Sequence, residues 1–266
     1  TGTNTGGQID ALESFDSGIV ESDSSQNNDQ SNNCTSSECN NLDFNSNFIH
    51  AQDDADVHDS VNDQNVVQSN ECILSLCSNG GAGNTFNDNE VVASGVASVT
   101  SANSQSTEQS NICLLSVPCS NDAANINLIS ASGFALVDST DDQSNTQITE
   151  CVLATCANGA ANVNGITASS LAEVTSDTTQ SNVQFNQCLV ASCTNTGDNG
   201  NGLVVDDAIV SSTADQSNTQ FNGCAFIATC TNTGANANAI SASGFFTTVD
   251  STATQVNNQD NGCIAT

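Results

Sequence analysis

Residues 216–234 read QSNTQFNGCAFIATCTNTG and run on as ANANAISASG over 235–244. The stretch holds a Gln-Ser-Asn triplet at Gln216, a cysteine pair at Cys224 and Cys230, and an alternation that sets Ile240, Ala242 and Gly244 against Ser241 and Ser243. The same order recurs along the chain. Gln-Ser-Asn also begins at Gln30, Gln68, Gln109, Gln143 and Gln180, with the variant Gln255-Val256-Asn257. A cysteine follows each triplet: Cys34, Cys72, Cys113, Cys151, Cys188, Cys224 and Cys263. Six of these have a partner five or six residues on: Cys39, Cys77, Cys119, Cys156, Cys193 and Cys230. The leading cysteines are 36 to 41 residues apart, so the chain is a tandem array of ~38-residue repeats.

Within each repeat, the Asn/Gly-rich segment after the second cysteine, such as Thr231-Asn232-Thr233-Gly234, predicts a turn. The columns Val91, Ala93, Gly95, Ala97, Val99 and Ile129, Ala131, Gly133, Ala135, Val137 then predict a half-buried strand of about nine residues. One such repeat cannot bury its own apolar face; stacked neighbours can. The expected fold is all-β, a parallel β-solenoid of cross-β-like rungs spaced ~4.8 Å apart. Inward Asn and Gln would form amide ladders along the stack. Tandem β-hairpin or sandwich modules are the alternative. In this frame Thr1–Asp29 is the second half of a repeat, Gln30–Thr254 holds six repeats, and Gln255–Thr266 is the first half of another. The two halves are expected to complete each other between head-to-tail neighbours, an open heterologous contact that yields a filament.

Paired cysteines without accompanying histidines predict disulfides and an oxidising compartment. A bridge within a repeat requires the chain to bend between its cysteines. The other possibility links same-column cysteines of adjacent rungs. The apolar spacers (Val152-Leu153-Ala154-Thr155) suit a strand, whereas the extra residue between Cys113 and Cys119 and between Cys224 and Cys230 suits a turn. Cys263 is the odd cysteine of the internal scheme. Asn33-Cys34-Thr35 is the one Asn-x-Ser/Thr site and makes Asn33 the candidate for glycosylation.

Thirty acidic residues face no Lys or Arg, giving a formal net charge of −30. No cationic patch exists to displace counterions from phosphates, so nucleic acid is excluded as a direct partner. No apolar run approaches the ~18 residues of a membrane span. Trp, Tyr and Met are also absent, and the stretch reads as a processed chain or part of a longer one. The only histidines, His50 and His58, flank Asp53, Asp54, Asp56 and Asp59 and belong to no nucleophile motif, so no enzymatic role is expected. Stacked carboxylates, such as Asp138 and Asp250, would repel one another and could recruit calcium or other divalent cations. The Gly/Asn/Asp segments Asn79–Asn84 and Gly197–Gly200 resemble RTX calcium turns but lack their nonapeptide period, and no calcium ligands are assigned.

The Gln/Asn/Ser-rich tandem repeats with small apolar columns resemble curlin-type fibre subunits and the Gln-Ser-Asn repeat proteins of archaeal surface structures. Curlin repeats are shorter and lack the cysteine pair. The resemblance implies an extracellular filament or sheath subunit whose partner is itself. A cell-surface adhesin or calcium-dependent carbohydrate-binding array is the other reading.

Overall fold

Alternation at period two runs through almost every segment, and the described residues fold almost entirely as strands. The structure is a computed structural model. It describes all residues except 1, 16–18, 37, 54, 75, 80–84, 116–117, 191, 226–228, 246 and 265–266, with the side chains of 2–4, 12, 14–15, 19–24, 58–60, 62 and 263–264 also outside that description. Seven rungs succeed one another, each with one pass through a first sheet and one through a second. They are β1 (Gly2–Thr5), β2 (Gln8–Phe15) and β3 (Ile19–Thr35); β4 (Cys39–Leu42), β5 (Phe44–Gln52) and β6 (Asp56–Ile73); β7 (Cys77–Asn79), β8 (Thr85–Gly95) and β9 (Ser98–Leu114). The later rungs are uninterrupted pairs: β10 (Cys119–Gly133) with β11 (Leu136–Val152), β12 (Thr155–Ser169) with β13 (Glu173–Leu189), β14 (Ser192–Asp206) with β15 (Ile209–Ala225), and β16 (Thr229–Ser243) with β17 (Thr248–Ile264). Every pairing between rungs is parallel, so the fold is a two-sheet parallel β-solenoid.

The interior has three zones. At one corner, four apolar columns stack through five rungs; in the fourth rung they are Ile129, Ala131, Ala135 and Val137. The middle is polar, with inward Asn from the first sheet meeting Gln, Asn and Thr from the second. At the far corner, eleven of the twelve paired cysteines form a buried column of their own, with the half-buried Cys230 packed against it.

Several local expectations need revision. The nine-residue apolar run is not one strand. Its first half ends the first sheet, its second half opens the next, and the chain turns between them at Gly95 and Gly133, with φ of 78° and 81°. A Cβ on Gly133 would lie 2.7 Å from the Gly95 carbonyl oxygen, so the glycines are needed for both conformation and space. The predicted Asn/Gly turn is instead strand: Thr231–Gly234 lies in β16, and Gly197–Gly200 lies in β14. There the asparagines point inward and hydrogen-bond, which overrides their turn preference.

The Gln-Ser-Asn triplet is two columns, not one. Gln105, not Gln109, stands beside Gln143, and Gln109 stands beside Gln147. The second-sheet strands carry the pattern Gln-x-Asn-x-Gln-x-Asn-x-Cys, as in Gln216, Asn218, Gln220, Asn222 and Cys224, with Val66, Thr107 and Thr149 each replacing one asparagine in β6, β9 and β11. Gln30, Gln68 and Gln109 occupy the second Gln position, while Gln143, Gln180, Gln216 and Gln255 occupy the first. With the rung as unit, residue 30 lies inside β3 and residue 255 inside β17, so the boundaries drawn from the triplet fall within strands.

Candidate functional site

The polar interior is built from amide ladders. In the first sheet, three asparagine columns include Asn121–Asn158–Asn195–Asn232, Asn125–Asn162–Asn199–Asn236 and Asn127–Asn164–Asn201–Asn238. Each Nδ2 donates to the Oδ1 of the following rung at 2.9 to 3.1 Å. Two glutamine columns climb the second sheet, from Gln26 to Gln255 and from Gln30 to Gln259. Their Nε2 groups donate the other way, to the Oε1 of the preceding rung, at 2.8 to 3.2 Å. The two sets of side-chain dipoles therefore run oppositely and offset each other along the axis.

From Gln105 onward, each buried glutamine also has its second N–H satisfied. Gln143 Nε2 donates to the Val163 carbonyl (3.1 Å), and Gln184 Nε2 to the Thr196 carbonyl (2.7 Å). The asparagines cross in return: Asn125 Nδ2 reaches the Ser144 carbonyl at 3.0 Å. Satisfied polar groups cost little to bury, whereas stranded ones cost about 1–3 kcal/mol each. The sheets are thus tied by geometry as much as by apolar burial. An inward column of small residues (Ala123, Ala160, Gly197, Gly234) makes room: a Cβ on Gly197 would sit 3.2 Å from both Gln184 Oε1 and Gln220 Nε2.

Among the described residues, no strand pairs with the outer edge of β16 and β17. Ile240 is 47 % exposed, although Leu203 and Ile166 in its column are 1 % exposed. Gln255 and Gln259 donate inward to Gln216 and Gln220, which leaves their Oε1 atoms on the open side. The first rung matches in kind: Gln26 and Gln30 accept from the second rung and donate to backbone carbonyls of Ser46 and Leu42. It also repeats the last rung's letters. Gln26, Asn28, Gln30, Asn32 and Cys34 correspond to Gln255, Asn257, Gln259, Asn261 and Cys263, and Thr3–Gly6 spells the same TNTG as Thr231–Gly234.

The six disulfides join Cys34–Cys39, Cys72–Cys77, Cys113–Cys119, Cys151–Cys156, Cys188–Cys193 and Cys224–Cys230, with Cα–Cα distances of 6.1 to 6.7 Å. Each closes the bend where the second sheet returns to the first. There Leu74, Leu115, Leu153 and Val190 take left-handed φ of 55° to 56°. The bridges stack so closely that Cys77, Cys113 and Cys119 lie together, and likewise Cys156, Cys188 and Cys193, but sulfurs held in disulfides offer no thiolate to a metal. Such a set of bridges implies folding in an oxidising environment. Among the described residues no helix is long and apolar enough to cross a membrane. The side chain of Cys263 lies outside the described residues; its backbone pairs with Cys224.

Asn33 is exposed on β3 and donates to Glu71 Oε2 at 2.9 Å. His50 packs edge-on against Phe48 at 6.0 Å. Asp54 and the side chains of His58 and Asp59 lie outside the described residues, as does most of the Asn79–Asn84 segment. Asp138 and Asp250 do share a column, but Thr175 and Ser211 stand between them. Three rung spacings, ~14 Å, then separate the two carboxylates.

Sequence reasoning missed two buried carboxyls. Asp141 is fully buried beneath Asn103, whose Nδ2 donates to Oδ1 at 2.7 Å, while Oδ2 has no hydrogen-bond partner. Burial pushes its pKa up to about 8, against the lowering effect of the Asn103 hydrogen bond. Asp43, at the break between β4 and β5, is pushed up to about 6 by burial. The signal was present in the alternation: Asp141 is two residues before Gln143 and so on the inward face. Compared with protein-family models, curated proteins and solved structures, the chain matches none of them.

Proposed function

We propose that this chain is a structural subunit of an extracellular filament or sheath, assembled head to tail by stacking one copy's first rung on another's last. The observation that carries this reading is the polarity of the ladders. Asparagines donate in one axial direction from the second rung onward, with Gln8 and Asp10 at two of their columns in the first rung, and glutamines donate in the other direction through all seven rungs. A further rung in the same orientation continues both sets; a rung stacked head to head would oppose donor to donor in the asparagine columns and acceptor to acceptor in the glutamine columns. Stacking is therefore heterologous, which gives an open polymer rather than a closed dimer. Burial of Ile240 and of the exposed edge amides supplies the driving force.

A net charge of −30 opposes association, so screening by salt, acid or divalent cations is expected to speed assembly. The oxidising chemistry of the six bridges fits a location outside the cell. The test is electron microscopy of the purified protein with and without chelator. Long unbranched filaments are expected in both, and Ile240→Asp should leave single rods by placing a carboxylate in the apolar column. Filaments unaffected by Ile240→Asp refute the stacking edge. Assemblies that disperse on chelation favour the calcium-dependent binding array instead.

A further inference from the structure

Beside the apolar corner the interior changes character. Four residues before the first glutamine of its strand, each of β9, β11, β13, β15 and β17 carries an inward serine: Ser101, Ser139, Ser176, Ser212 and Ser251. They form one unbroken column, each in register with the next. The hydroxyls of Ser101, Ser139, Ser212 and Ser251 are buried without a hydrogen-bond partner, and that of Ser176 has only Thr178 of its own strand, at 3.5 Å. Asp141 Oδ2, one inward position along from Ser139, lacks a partner too. Across the interior stands asparagine. Gln143 and Gln180 reach the carbonyls of Val163 and Gly200 on one side of the serine column. On the other side Ile166 and Leu203 pack in the apolar corner with Val174 and Val210. The inward residues left between are Asn164 and Asn201. Each donates one amide hydrogen to the next rung, and its second has no acceptor among the described residues.

Donors and acceptors therefore line both walls of a seam that runs along the solenoid axis. A serine side chain ends well short of where a glutamine ends, and in the sixth rung its neighbour Ala214 is smaller still, so the polar groups do not reach across. Leaving such groups dry is costly, and water settles where room and polar partners coincide. We propose that this seam holds a file of ordered internal water, one molecule between each pair of successive serines, about four in the chain. The rung spacing sets this stoichiometry. Hydroxyls ~4.8 Å apart are too distant to bond each other, but one oxygen between them lies ~2.8 Å from both. Each water accepts from one serine, donates to the next and accepts the spare asparagine N–H. These three bonds are the usual number for a buried water. Each serine in turn donates to the water on one side and accepts from the water on the other, so no hydroxyl is left over.

The test counts long-lived internal water by oxygen-17 relaxation dispersion on the folded, oxidised protein, comparing variants so that waters elsewhere cancel. Ser212→Val extends the valine column at Val210 by one inward position and fills the seam. It should remove about two waters, those on either side of residue 212. Ser211→Ala, on the outward face of the same strand, should remove none. Guanidinium unfolding supplies a second readout, because a wet seam and a dry one differ in sign. With water present, Ser212→Ala breaks two hydrogen bonds and lowers the unfolding midpoint; in a dry seam it deletes a stranded hydroxyl and raises it. Circular dichroism and the disulfide map should stay unchanged in all three variants. The proposal is overturned if Ser212→Val leaves the water count unaltered, or if Ser212→Ala fails to lower the midpoint. The seam lies inside one copy, so the outcome does not depend on whether copies stack.

Discussion

Replacing Asp141 by asparagine isolates one buried charge in an otherwise neutral ladder. The carboxyl is fully buried, with one oxygen accepting from Asn103 and the other unpartnered. Its pKa is raised from 3.8 to about 8, chiefly by burial, with the neighbouring Asp142 adding to the rise. A group raised in this way favours the folded state fully below 3.8, and that favour is lost as pH climbs through about 8. At ~1.4 kcal/mol per pH unit, the gap sets a ceiling of about 6 kcal/mol on the loss. Relaxation and water penetration should bring the observed effect to roughly 2–4 kcal/mol. Asp141→Asn keeps the acceptor for Asn103 and removes the ionisation. The variant is therefore expected to match the parent near pH 4 and to exceed it by roughly 2–4 kcal/mol at pH 9. Guanidinium unfolding followed by far-ultraviolet circular dichroism at pH 4, 7 and 9 measures this. A shift independent of pH, or a variant weaker than the parent at pH 9, would refute the assignment of a buried neutral carboxyl. Asp43, Asp88 and Asp122 are displaced upward as well, with burial the leading cause for each. The parent itself should accordingly lose stability between pH 4 and pH 8.

Three further outcomes are expected. Asn162→Ala removes the acceptor shared by Asn125 and Asn145 Nδ2 and the donor to Asn182 and Asn199, and should cost about 3–5 kcal/mol in guanidinium unfolding; a loss under 1 kcal/mol would show the ladders to be structurally idle. Replacing Cys151 and Cys156 together by serine opens a bridge of sequence separation 5, worth about 2 kcal/mol on the chain-entropy model. Non-reducing peptide mapping should recover that pair in the parent, and a bridge between Cys151 and Cys188 would overturn the connectivity. Gly133→Ala meets both a φ of 81° and the Gly95 carbonyl, and is expected to lower stability by about 1–3 kcal/mol; an unchanged midpoint would count against the tight corner.

The repeat length, the strand alternation and the stacking of like residues are legible in the letters because they are periodic. A period of two can only be a strand, and a period of ~38 can bury its apolar face only against a copy of itself. The paired cysteines announce themselves in the same way. The register does not. Gln-x-Asn-x repeats every four residues, so sliding one strand by four against the next leaves most amides facing amides. The triplets at Gln109 and Gln143 look equivalent, yet they lie in different columns. Their distances to the following cysteine differ, four residues from Gln109 to Cys113 and eight from Gln143 to Cys151, and the cysteine column is the true anchor. Corner geometry was likewise hidden, since Gly95 continues the alternation while its positive φ ends the strand. Which way each amide donates, and that the asparagine and glutamine columns run oppositely, follows only once both sheets face each other, because the spare N–H of each glutamine must find a carbonyl across the interior. Composition and spacing are properties of the single chain; pairing and polarity belong to the closed rung.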